Sequence, residues 1–117
     1  MGKSTLKADR TLLWANTSPT TEFAPQTVNI DLTDYKEVEI LARNSSTNSE
    51  SVIQKFPISN GSGVLTIFQL NNTWYMRQLT ITNSGITFAS GRYCYMENGG
   101  NGELYAVCIP VRIYGIK

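Results

Sequence analysis

The feature that most constrains this chain is a period of two near its C-terminus. Tyr105, Val107, Ile109, Val111 and Ile113 alternate with Ala106, Cys108, Arg112 and Tyr114. Alternation puts successive side chains on opposite faces of an extended strand, whereas a helix would repeat its apolar residues every three or four positions. The first set is expected to face a core, where each aliphatic side chain contributes about 1.5–3 kcal/mol. Pro110 has no N–H to donate to a ladder, so a bulge or a crossing between sheets is expected there.

The same period recurs upstream. Val28, Ile30 and Leu32 form one half-buried run; Val38, Ile40 and Ala42 form another, opposed by Glu37, Glu39 and Arg43, with a turn at Asp34-Tyr35 between them. Further strands are expected over Ser51 to Ile58, Val64 to Leu70, Trp74 to Thr82, Ile86 to Ala89 and Tyr93 to Met96. Within Trp74 to Thr82, Tyr75, Leu79 and Ile81 share a face, and Arg77 and Met76 blur the pattern. Turns fall at Asn60-Gly61-Ser62-Gly63, Asn71-Asn72, Asn83-Ser84-Gly85 and Glu97 to Gly102, where glycine and asparagine tolerate positive φ. The stretch Asn44 to Glu50 has no apolar residue and reads as an exposed loop.

About eight strands with no helical pattern predict an all-β fold: an antiparallel β-sandwich, jelly-roll-like in wiring. A length of 117 residues suits one domain, taken as residues 11–117 after an N-terminal arm or linker over 1–10.

Charge narrows the partners. Lys and Arg number 10 against 9 Asp and Glu, so no net field favours nucleic acid or an anionic membrane. Thr, Ser and Asn together occupy 33 positions, giving a surface that makes hydrogen bonds rather than ion pairs. The first ten residues have no apolar run and read as neither a signal peptide nor a membrane span. Four sequons, at Asn16, Asn44, Asn60 and Asn71, are those expected by chance in so Asn-, Ser- and Thr-rich a chain.

The composition also argues against catalysis. The chain has no histidine, the commonest general base and metal ligand. Asp31, Asp34, Glu37 and Glu39 cluster at one turn and strand, where a solvated face accounts for them. Gly99-Gly100-Asn101-Gly102 lacks the lysine and helix of a phosphate loop, and no aspartate-rich calcium spacing occurs. No cofactor, metal site or enzymatic activity is expected.

Cys94 and Cys108 stand symmetrically about Asn101, so a disulfide across a hairpin is conceivable; two free thiols acting as small hydrophobes are the favoured expectation. Of the twelve aromatic residues, Tyr93 and Tyr95 lie near Asn98 and Asn101. Aromatic faces beside amide donors and acceptors are what a sugar-binding surface uses, which makes Tyr93, Tyr95, Asn98 and Asn101 the candidate binding residues.

Two stretches carry a family likeness. The first runs Thr11-Leu12-Leu13-Trp14-Ala15-Asn16-Thr17-Ser18-Pro19-Thr20, continuing through Phe23-Ala24-Pro25-Gln26-Thr27-Val28 and Leu32-Thr33-Asp34-Tyr35. The second is the ending Val111-Arg112-Ile113-Tyr114-Gly115-Ile116-Lys117. In both, the chain resembles small tail-fibre domains of phages and prophages of Gram-positive bacteria. The resemblance implies a virion component at the distal tail, a homo-oligomer with a trimer favoured, that contacts other tail proteins and a cell-surface glycan or protein. It assigns no binding residue, and a purely structural baseplate or fibre-tip piece is the alternative it allows.

Overall fold

The computed structural model describes residues 10–59, 61–69 and 72–117, and these contain nine β-strands and no helix. They are β1 (Arg10–Ala15), β2 (Gln26–Asn29), β3 (Glu37–Ser45), β4 (Ser51–Pro57), β5 (Ser62–Gln69), β6 (Thr73–Thr82), β7 (Gly85–Tyr95), β8 (Asn101–Glu103) and β9 (Val107–Ile116). One sheet has the order β1-β9-β3-β4 and the other β2-β7-β6-β5, with every pair antiparallel. Strand β8 shares the β2 edge of β7: β2 pairs Gly85 to Phe88 and β8 pairs Arg92 to Cys94. The expected sandwich is therefore present. Its jelly-roll character lies in β1, β2 and β3 alternating between sheets to meet β9 and β7; β3-β4 and β5-β6-β7 are plain hairpins.

The strand count differs from expectation for local reasons. Segments 86–89 and 93–96 are one strand, β7, while β1 and β8 were not expected as strands. Arg10, assigned to the arm, opens β1 opposite Ile116; residues 1–9 lie outside the described residues, as do Asn60, Leu70 and Asn71 of the expected turns and strand end. Strand β2 stops at Asn29, after which Ile30 and Leu32 donate their N–H groups to Ser84 and Asn83 carbonyls at 3.1 and 2.8 Å.

Val38, Ile40 and Ala42 are fully buried, as their spacing requires. Glu39, placed on a solvated face, is instead buried beneath Arg10, whose Nε lies 3.0 Å from its carboxylate and whose guanidinium sits 3.7 Å from the Tyr114 ring centroid. Asn44, taken as the start of an exposed loop, is buried on β3, and its N–H donates to the Glu50 carbonyl. Ser46 is still half-buried, and the first exposed residue of the loop is Thr47.

Strand β9 bulges at Pro110 and does not cross between sheets. Leu41 pairs with Arg112 but Ala42 pairs with Pro110, leaving Val111 without a partner on β3. On the opposite edge of β9, just past β1, Asn16 holds the bulge: its N–H donates to the Val111 carbonyl at 2.8 Å and its Nδ2 to the Pro110 carbonyl at 2.9 Å. The bulge breaks the strict alternation read from the sequence. Tyr105 lies outside the strand in a turn, 38% exposed, Val111 is only half-buried, and Cys108, assigned to the outer set, is fully buried. Strands β1 and β9 pair directly, Leu12 with Tyr114 and Trp14 with Ile113, so the two motifs carrying the family likeness form one packed unit.

Strands β4 and β5 are the adjoining free edges of the two sheets. The Gln54 carboxamide joins them, accepting from Thr66 N–H at 2.7 Å and donating to the Val64 carbonyl at 3.2 Å, as a neighbouring strand would. An unpaired edge is a template for association. Gln54→Ala is expected to leave the fold intact at a cost of about 1 kcal/mol while producing concentration-dependent association beyond that of the parent chain in sedimentation velocity.

The least anticipated core residue is Arg77, whose side chain is fully buried. Its Nε donates to the Cys108 carbonyl at 2.9 Å, Nη1 to Ala89 at 2.7 Å, and Nη2 to Val107 and Tyr105 at 3.0 and 3.2 Å. The guanidinium lies over the Phe23 ring, which packs edge-on against Phe88. Burial lowers its pKa to about 10, so it remains charged at neutral pH. The charge is answered by four carbonyl dipoles, and it fastens the chain leaving β8 to the middle of β6 and β7.

Cys94 and Cys108 are free thiols and do not face each other, because Cys94 pairs with Asn101 while Cys108 has moved to the other sheet. Burial pushes the Cys108 thiol from 9.0 up to about 12. The fold thus prefers its neutral form: this stabilisation is complete below the unfolded value and is lost as pH rises toward the folded one. Stability is expected to fall by about 1 kcal/mol between pH 9 and 10 from this group, a slope that Cys108→Ala removes in urea titrations. In native protein, iodoacetamide is expected to alkylate Cys94 and spare Cys108.

Candidate functional site

Strands β6 and β7 carry their core residues at one end and project at the other. Leu79, Ile81, Ile86 and Phe88 are buried against the opposite sheet. An extra residue then enters β7: Leu79 pairs with Phe88 but Arg77 pairs with Gly91. Such a bulge switches the inward parity of β7, so Gly91, Tyr93 and Tyr95 continue the face begun by Ile86 and Phe88. Exposure rises along this row, from buried Gly91 through half-buried Tyr93 to Tyr95 at 46%. The hairpin tips thus run out past the cover of the opposing sheet, in a molecule measuring 51 × 30 × 24 Å.

At the tip the Tyr93 and Tyr95 rings meet, centroids 5.1 Å apart and planes at 48°. Tyr93 lies over Gly102 on β8; a Cβ there would stand 3.0 Å from its hydroxyl oxygen, so the glycine lets the ring settle on the backbone. Positive φ at Gly99 closes the loop, whose N–H donates to the Tyr95 carbonyl at 2.9 Å. Asn98 accepts the Gly100 N–H on its Oδ1 at 2.8 Å, and Gly100 also borders the Tyr95 ring. The Met96 N–H donates to the Asn72 carbonyl, joining this loop to the β5-β6 hairpin.

Three of the four candidates therefore converge: Tyr93, Tyr95 and Asn98. Asn101 does not join them. It pairs with Cys94, on the opposite face of the sheet from the Tyr93–Gly102 pair, and its Nδ2 donates to the Gly99 carbonyl at 3.2 Å. The asparagines hold the loop as well as lining it, so each has one polar atom already engaged.

The face bearing Asn101 has aromatic surface of its own. Register places Phe68, Trp74, Cys94 and Asn101 in one row across β5, β6, β7 and β8, with Thr66, Met76, Arg92 and Glu103 in the next. The Phe68 and Trp74 rings lie 4.7 Å apart, and Phe68 is 45% exposed. Sequence reasoning missed this pair by treating both as packing residues. Its only signal was that Phe68 alternates out of phase with Leu65 and Ile67, which are buried. Rings of this kind, apolar in the face and flanked by amides, stack on C–H surfaces of sugars or side chains. Among the described residues no three histidine, cysteine, aspartate or glutamate side chains come together as a metal site would require. Comparison with models of protein families, with curated proteins and with solved structures returns no match.

Proposed function

We propose that this domain is a non-catalytic module of a phage or prophage tail that attaches to a bacterial surface glycan or protein. The observation carrying this reading is the projecting hairpin tip, which presents aromatic surface on both faces: Tyr93 with Tyr95 on one and Phe68 with Trp74 on the other. The family likeness at the chain ends and the near-neutral, hydroxyl- and amide-rich composition agree with it. In this reading the chain works as a homo-oligomer, a trimer, beside other tail proteins in the virion, and binds neither nucleic acid nor the membrane interior. The test is adsorption of the purified domain to whole Gram-positive cells and isolated cell-wall glycan, alongside light scattering. Saturable adsorption by an oligomer is the expected result; a strict monomer at high concentration that binds neither material would sink the proposal.

A second reading, a structural piece that only holds neighbouring tail subunits, is favoured by one feature. Val64, Phe68 and Trp74 give the outer face of the β5 sheet an apolar strip suited to subunit contact. Oligomer formation without adsorption supports that alternative.

A further inference from the structure

At the end of β6 and β7 away from the hairpin tips, an open depression of about 650 Å³ lies between the Asn83-Ser84 turn and the segment Asn29 to Thr33. That volume falls within the roughly 300–1,000 Å³ range of small-ligand sites. Its walls are fixed by backbone: the Ile30 and Leu32 N–H groups donate to the Ser84 and Asn83 carbonyls, zipping the segment to the turn. The polar side chains are left exposed, while Ile30 packs partly against the core and keeps part of its surface open. Within the described residues the Asn29 and Asn83 carboxamides make no hydrogen bond to the rest of the chain, and the Thr82 and Ser84 hydroxyls sit 3.1 Å apart. Asp31 is held by Thr33, whose hydroxyl and N–H both donate to its Oδ1, at 2.6 and 3.1 Å. Those bonds, the hydroxyl first, lower its pKa and keep it ionised; Oδ2 is unengaged.

We infer that this depression binds a neutral saccharide ring. Its lining has no basic side chain and one fixed carboxylate, which disfavours an anion. A single carboxylate with one oxygen already committed is too poor in charged ligands for a hard metal ion. What remains is a set of acceptors and donors spaced around the aliphatic surface of Ile30. A sugar presents the complement, hydroxyls for Asp31 and the two asparagines and a C–H face for Ile30. The geometry is independent of the tip residues, although the biological sense rests on the attachment reading.

Amide NMR of the isotope-labelled full chain, titrated with N-acetylglucosamine and galactose and with inorganic phosphate as anionic control, tests this. Expected are saturable shifts at Ile30 to Thr33 and at Asn83 and Ser84 with at least one sugar and none with phosphate. Asp31→Ala and, separately, Asn83→Ala should each weaken binding at least tenfold, while Tyr95→Ala leaves it unchanged. Shifts confined to the hairpin tip, phosphate binding equal to sugar binding, or no saturable shift with either sugar overturns the inference. Because Tyr95→Ala addresses the tip alone, cell adsorption that depends on Tyr95 while this depression stays silent removes the site and leaves the attachment reading standing.

Discussion

Replacing Arg77 with methionine is expected to destabilise the domain by about 4 kcal/mol, more than most single substitutions. Methionine fills much of the volume and relieves the burial of a charge, which alone can make such a swap neutral. Here, however, the partners are not side chains that could be exchanged as well. They are the carbonyls of Ala89, Tyr105, Val107 and Cys108; each loses a charged donor, and those of Val107 and Cys108 lose it in a dry setting. Urea unfolding should show a lower midpoint. Arg77→Lys should recover only part of the loss, since an ammonium cannot match the planar fork that reaches both β7 and the β8-β9 turn.

Gly91→Ala is expected to cost about 3 kcal/mol through a steric route. A Cβ at this position would overlap the Leu104 carbonyl oxygen and lie 2.6 Å from that of Val107 and 2.8 Å from Arg77 Nη2. Two of these are backbone atoms, so the chain must move, and the Leu104 N–H bond to the Gly91 carbonyl moves with it. Because alanine displaces the same segment that Arg77 fastens, the double variant should lose less than the two single losses summed. Additive losses would mean that the glycine and the arginine support separate parts of the fold.

What the sequence disclosed follows from what period-two patterning can carry. Val38, Ile40 and Ala42 on β3 were legible because no bulge lies among them and one face is dry. The alternation of β9 was legible until Val111, where one unpaired residue reverses the faces, and Pro110 was the visible warning. Arg77 was illegible: an arginine among apolar neighbours reads as a surface residue, and its partners are backbone carbonyls from 12 to 31 positions away that leave no side-chain trace.

The candidate site divides in the same manner. Tyr93 and Tyr95 share a face by simple alternation along β7, and their meeting at the tip required nothing more. The position of Asn101 depended on how the Met96 to Gly100 loop sets the register of β8. A one-residue difference sends a side chain to the other face. The same limit hid the row from Phe68 to Asn101, which exists only once four strands are aligned. The depression beside Asp31 joins residues 29–33 with 82–84, brought together by a pairing of β2 with β7 that local patterning does not encode.

Attachment through the projecting hairpin tip is tested most directly by Tyr95→Ala. The ring is 46% exposed and lies outside the core, so the thermal midpoint should stay near that of the parent chain. Adsorption to whole Gram-positive cells, measured with fluorescently labelled protein, should weaken at least tenfold. Full adsorption by a folded Tyr95→Ala chain would contradict the account.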